Sequence, residues 1–186
     1  EFFLQYHEWE SNDFVLKYGG RTLEMLGTDI DEWTITFVDT GRTSYIGERL
    51  RRVREYIGDD EYFLANYADG LSDLDLATYV DNFVGTGRTA CFLTVPAPHT
   101  FHIVHSNDDG YVERLEYIGS SSVRVNAGFF AFRNEIFDVL GEGEELVLEP
   151  FERLIARRDL IAVEHNGFFR SLDTFKDTVE LDALAP

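Results

Sequence analysis

At 186 residues the chain is long enough to bury a substantial core within one domain, and a hydrophobic content of 44%, with Phe occurring 16 times, excludes a disordered segment. Acidic residues outnumber basic ones 35 to 16, for a net charge of -19. A surface that negative repels nucleic acid and anionic lipid, and a small anionic substrate would need locally concentrated Arg or a metal ion to approach it.

The chain opens on Glu1 rather than Met, and EFFLQYHEWESNDF is expected to continue an upstream piece. Residues 1–10 read as the end of an amphipathic helix, with Ser11-Asn12-Asp13 as its stop. TITFVDT, residues 34–40, alternates polar and apolar side chains and predicts a strand. Leu50, Val53 and Ile57 at helical spacing predict a helix over residues 47–58, ended by Gly58. EYFLANY, residues 61–67, has the pattern of a strand buried on both faces of a parallel sheet. Ser72 and Asp75 fit a capping box for a helix over residues 72–87, with Leu76, Tyr79, Val80 and Phe83 on one face.

TACFLTV, residues 89–95, predicts the next strand and contains the single cysteine, Cys91. One cysteine builds neither a disulfide framework nor a thiolate metal cluster, so Cys91 reads as a small core residue. Beyond the loop PAPHTF, the segments FHIVHS and VERLEYI flank Asn107-Asp108-Asp109-Gly110, a hairpin signal. NAGFFAF reads as a strand, NEIFDVL and LEPFERLIARR as helices, LIAVEH as a strand and TFKDTVELDAL as the last helix. Alternating strands and helices predict an α/β fold around a parallel or mixed sheet, in a single domain over residues 1–186. No apolar run approaches the ~18 residues of a membrane helix, and no signal peptide is read, so the expected location is cytoplasmic.

In open α/β sheets ligands gather at the carboxyl ends of strands, and Asp69 stands at such a point, followed by Gly70 where the backbone can turn sharply. A carboxylate there suits Mg²⁺, a hard cation that takes one or two carboxylates plus substrate phosphates. An ordinary Asp-Gly turn is the competing reading. Asp73 and Asp75 read as helix-cap residues. His99, His102 and His105 are spaced by three, but on extended backbone His102 points away from the other two, so a zinc site is not expected.

YADGLSDLDL resembles the Y-G-D-G-V-x-D-x-D-I segment of bacterial glucose-1-phosphate cytidylyltransferases, a branch of the sugar-phosphate nucleotidyltransferase superfamily. VDTG followed by GERLRRVREYIGDD resembles the family's V-D-T-G, T-G-G-R-L-K-R-V and Y-I/V-x-D-D run. VNAGFFAF resembles I-N-G-G-F-F-V, and LEPFERLIARRDLIAVEHNGFFRSLDTFKD is similar to the family's E-P, H-x-G-F-W-Q and M-D-T segment. The likeness begins near Asp39 and reaches the end of the chain. It implies a three-layer α/β/α fold with a mixed, mostly parallel Rossmann-like sheet, of which this chain would be the C-terminal three-quarters. It further implies nucleotidyl transfer, in which a sugar 1-phosphate oxygen attacks the α-phosphorus of an NTP, CTP in the nearest branch, and pyrophosphate leaves.

Carried over position by position, the resemblance makes Asp69 and Asp173 the catalytic carboxylates that hold Mg²⁺. Gly47 and Arg49 join Asp69 toward the nucleotide, and Asn126, Gly128, Glu149 and Arg170 face the sugar phosphate. Arg51, Arg52 and Arg54 read instead as a solvated helix face. The implied partners are the NTP and the sugar 1-phosphate, with no nucleic acid and no membrane. A homo-oligomer or a partner chain is expected to cover a missing N-terminal segment.

The departures are as specific as the matches. The family's G-G-x-G-T-R-L loop is absent, and YGGRTLEML lacks its pattern. E-K-P falls on Glu116-Tyr117-Ile118 and R-F-G on Thr100-Phe101-His102. Ala127 and Glu48 replace family glycines, and Phe168-Phe169-Arg170 replaces F-W-Q. One electrostatic contact of this kind is worth about 3 kcal/mol in a transition state, so losing several weighs on catalysis. Arg170 or Arg124 is the candidate to restore a charge. Without the family's first strand, EYFLANY would also expose an apolar edge. Two readings follow: an active sugar-1-phosphate cytidylyltransferase, or a non-catalytic sugar-phosphate- or nucleotide-binding relative.

Overall fold

The computed structural model describes residues 5–28, 30, 32–97 and 102–184, and the chain falls into two units, Glu1–Val38 and Asp39–Pro186. In the first, a 3-10 helix, Glu8–Glu10, precedes a hairpin of β1 (Phe14–Lys17) and β2 (Thr22–Met25). Tyr18, Gly19 and Gly20 all take positive φ at its tip, so the paired glycines serve a tight turn. Of the helix expected over residues 1–10, the first four residues lie outside the described ones, and the 3-10 turn is the longest helical piece that follows. The strand expected over residues 34–40 is not formed. Alternation marks out a face, but a strand exists only when paired, and no described strand forms a ladder with this segment.

The second unit is built on a four-stranded sheet in the order β3-β8-β5-β9, where β3 is Tyr62–Asn66, β5 Ala90–Pro96, β8 Arg124–Arg133 and β9 Leu160–Glu164. The sheet is mixed, as expected of an α/β fold. β8 runs antiparallel to both of its neighbours, and β5–β9 is the parallel pair among the described residues. Along β8 the pleat sends Phe130 and Phe132 to one face and Ala131 to the other. Helices α1 (Ile46–Arg52), α2 (Arg54–Ile57) and α4 (Glu149–Ala156) cover the first face, burying Leu50, Phe151 and Leu154 against the two phenylalanines. Helix α3 (Leu76–Thr86) covers the second, where small Ala131 and Cys91 leave room for Tyr79 and Phe83. Each such aromatic contributes about 2–3 kcal/mol of burial. The result is the expected three layers.

Three local expectations are corrected. β3 is not buried on both faces: its residues alternate exposed and half-buried, and it pairs on one side with β8 and lies at the sheet edge. Ser72 does not cap α3; the cap is Asp75, whose side chain accepts from the Thr78 N–H at 3.1 Å, because Ser72 belongs to a strand. Leu76, in the first turn, is half exposed rather than on the buried face with Tyr79 and Phe83.

That strand, β4 (Gly70–Ser72), pairs antiparallel with β10 (Phe169–Ser171) as a two-stranded ribbon outside the main sheet. A hairpin of β6 (His102–Ser106) and β7 (Val112–Tyr117) turns at Asn107 as the Asn-Asp-Asp-Gly signal predicts. The final helix α5 (Phe175–Asp182) opens on a capping box between Thr174 and Asp177. Among the described residues no helix is long and apolar enough to cross a membrane.

Candidate functional site

β3 ends at Asn66, and the chain turns through Tyr67, Ala68 and Asp69 into β4. The ribbon register sets Gly70 opposite Ser171, and one further bond, from the Leu172 N–H to the Asp69 carbonyl at 2.8 Å, carries the pairing past its end. Asp69 and Asp173 therefore emerge at the same end of the ribbon although 104 residues separate them. Both are exposed, and neither side chain has a hydrogen bond or ion pair among the described residues. Two uncommitted carboxylates are a donor set that suits Mg²⁺. No group of three or more ligating side chains is found among the described residues, so a cation here would complete its shell with substrate oxygens and water.

The turn rests on residues 126–128. The Tyr67 N–H donates to the Gly128 carbonyl at 3.0 Å, and the Gly128 N–H donates to Asn126 Oδ1 at 2.9 Å. Gly128 has φ +74, and a Cβ on it would lie 2.5 Å from the Tyr67 ring, so glycine is required there on two counts. The structure thus brings Asn126 and Gly128 beside the turn that carries Asp69. Burial, with the charges of Glu145 and Asp69 adding to it, pushes the Tyr67 phenol up, which keeps it a neutral neighbour.

Tyr67 also lines a largely apolar cavity of about 250 Å³ together with Arg49, Thr40, Asn66 and Phe130. This places Arg49 on the same hollow as the Asp69 turn. Its guanidinium nevertheless donates to the carbonyls of Ser44 and Arg42, bracing the loop before α1. Gly47 is buried in α1, where a Cβ would meet the Glu144 carbonyl oxygen at 2.6 Å, a packing reason for glycine. Arg51 and Arg52 are not simply solvated: both pair with Glu48, and Arg54 stacks over Phe137. Glu149, exposed in the first turn of α4, has no hydrogen bond or ion pair to the other candidates among the described residues.

Arg170 projects from β10 over Phe168 and lines a cleft of about 360 Å³ with Lys176, Asn166 and Ser171. Arg124 is different. It donates to Thr94 Oγ1, the Thr94 carbonyl, the His165 carbonyl and Asn166 Oδ1, which ties β5 to the end of β9 and engages four of its five N–H groups. Of the histidines read for zinc, His99 lies outside the described residues, and His105 meets Arg114 and Glu116.

Sequence reasoning missed one cluster. His165 Nε2 lies 2.9 Å from Asp73 Oδ1 and 3.3 Å from both Ser72 Oγ and the Phe168 carbonyl. Asp73 and Ser72 are expected at a helix cap; they face His165 because β4 takes Ser72, and Asp73 directly after it, before the helix begins. The available signal was Gly167, where a Cβ would stand 2.5 Å from Asp73 Oδ1 and 2.7 Å from the His165 ring.

No family model matches the chain. It is 30% identical over 185 residues to the glucose-1-phosphate cytidylyltransferase of Salmonella typhimurium, covering 99% of this chain and 72% of that protein. It is also 30% identical over 186 residues to the probable glucose-1-phosphate cytidylyltransferase of Bacillus subtilis, again 72% of its length. Among solved structures, a putative glucose-1-phosphate thymidylyltransferase from Bacillus anthracis, in complex with a sucrose, superposes with a TM-score of 0.59 at 17% identity. The match covers 78% of this chain and 63% of that one, less than two thirds, and carries the fold alone.

Proposed function

The chain belongs to the glucose-1-phosphate cytidylyltransferase family, and on that footing we propose that it joins a sugar 1-phosphate, of the glucose 1-phosphate kind, to CTP with release of pyrophosphate. It spans 72% of the length of the relatives it matches. The observation that supports it is the Leu172 N–H to Asp69 carbonyl bond, which extends the β4–β10 ribbon and sets Asp69 and Asp173, both exposed, at the same end of it.

In this reading Asp69 and Asp173 hold Mg²⁺, which when bound neutralises phosphate charge at the reacting centre. The residues around it supply position. The Asn126 carbonyl oxygen is spent on the Gly128 N–H, which leaves its amide N–H groups to reach sugar hydroxyls. Gly128 makes room for the Tyr67 ring, which lets the turn carrying Asp69 seat on residues 126–128. Glu149 offers an acceptor for sugar hydroxyls. Arg170 is the cation for the sugar phosphate, beside Lys176 in the same cleft. Gly47 and Arg49 act toward the nucleotide by shaping the loop over residues 42–46 rather than through a free guanidinium. A cytoplasmic setting, where CTP is made, suits the reaction.

A second reading, a sugar-phosphate- or nucleotide-binding relative without turnover, draws on Tyr117 at the family's Lys position and on the structural bonds that hold Arg124. Pyrophosphate release assayed over four NTPs and several sugar 1-phosphates separates them. Turnover with CTP that is lost in Asp69→Ala is the expected result. Tight nucleotide binding without turnover for any pair would replace the first reading with the second.

A further inference from the structure

The ribbon that carries Asp69 and Asp173 is three residue pairs long, and a pairing that short has little rigidity of its own. Its far end must be fixed by something else. There the Asp73 N–H and the Ser72 hydroxyl both donate to the Phe168 carbonyl, at 3.2 and 3.0 Å, which joins β4 to the residue before β10. His165 stands over this junction, with Nε2 facing Asp73 Oδ1, Ser72 Oγ and the Phe168 carbonyl. Two of these three are acceptors only, one of them anionic, so the Nε2 proton has its best place on Asp73.

His165 itself belongs to the rigid part of the fold. Its backbone N–H donates to the Thr94 carbonyl at 2.8 Å, one step beyond the β5–β9 ladder, and its carbonyl is held by Arg124 at 2.7 Å. The imidazole is mostly buried, and Gly167 clears the space in which it meets the carboxylate. The His165 ring therefore makes a polar link from the main sheet to the end of the ribbon opposite the two candidate ligands.

The geometry points to His165, held by Asp73, as the positioning residue of the metal site: it fixes the β4–β10 ribbon so that Asp69 and Asp173 stay in register for one divalent cation. It touches neither the cation nor a substrate. This inference rests on the reading of Asp69 and Asp173 as a metal pair, and its test separates the two. Mn²⁺ alone is titrated against the protein and followed by water-proton relaxation, with folding checked by thermal midpoint, for wild type, Asp69→Ala, His165→Ala and His165→Gln.

Supporting groups behind metal ligands are worth about tenfold or more in metal affinity. Asp69→Ala is expected to abolish specific Mn²⁺ binding. His165→Ala is expected to weaken it about tenfold, and His165→Gln, whose amide nitrogen can stand near the Nε2 position, to recover most of that loss. In pyrophosphate release the metal concentration for half-maximal rate should rise with the same ranking. Unchanged Mn²⁺ affinity in folded His165→Ala, or a lower rate with unchanged metal dependence, would overturn the positioning role while leaving the metal pair intact. Unchanged binding in Asp69→Ala would remove the metal pair and this role with it. If His165→Ala does not fold, Asp73→Ala takes its place, with a tenfold weakening expected and wild-type affinity overturning the inference.

Discussion

Glu48 is a carboxylate only 4% exposed on which two guanidiniums converge. Arg51 and Arg52, and then the Gly143 N–H, hold its carboxyl down at about 2 from an ordinary 4.5. A folded value below the unfolded one means that the contribution is complete above pH 4.5 and is lost as pH falls toward 2. Glu144, held down by Arg153, acts in the same window and the same direction. Urea midpoints compared at neutral pH and near pH 3 should therefore fall for the wild type and fall less for Glu48→Gln. Equal falls would show that the pair adds nothing to acid sensitivity. The pairs of Glu48 with Arg51 and Arg52 fit helical spacing, although the sequence alone reads both arginines as a solvated face. Asp73 has no such spacing: its partner His165 lies 92 positions away, and the sequence around it fits a helix cap equally well. Asp69 and Asp173 have no such local pattern either, and a family resemblance, not spacing, paired them.

Elements were legible where their own side chains dictate them. Apolar FFAF, the Asn107 turn and the last helix all stand where the sequence puts them. They were misread where the partner decides: residues 34–40 alternate without a ladder, and residues 70–72 form a strand because residues 169–171 reach them. Two substitutions test the local logic. Asp75→Ala should cost α3 about 1 kcal/mol, the usual worth of an N-cap, whereas Ser72→Ala should leave helix stability alone if Asp75 is the sole cap. Gly128→Ala, at φ +74 and against the Tyr67 ring, should cost about 2 kcal/mol or more in thermal or urea unfolding. A cost near zero there would mean that the turn can move away from residues 126–128, and with it Asp69.

For the whole second unit, the sheet explains why remote sequence segments meet. β8 and β5 form its centre, β3 and β9 its flanks, and the chain leaves β3 and β9 toward the same ribbon. Asp69 follows one flank and Asp173 the other, so the site is a consequence of strand order rather than of any single motif. That EYFLANY forms a strand was foreseeable from its apolar run. Its antiparallel pairing was not, because an apolar run reads the same beside either kind of neighbour. The central claim is that Asp69 and Asp173 act as one unit, and a double-mutant cycle on magnesium-dependent pyrophosphate release tests it most directly. Asp69→Ala and Asp173→Ala should each lower the rate about a hundredfold to a thousandfold, and the double variant should fall no further than the worse single one. Losses that multiply in the double variant, or a single variant that retains full rate, would show two independent side chains and contradict the account.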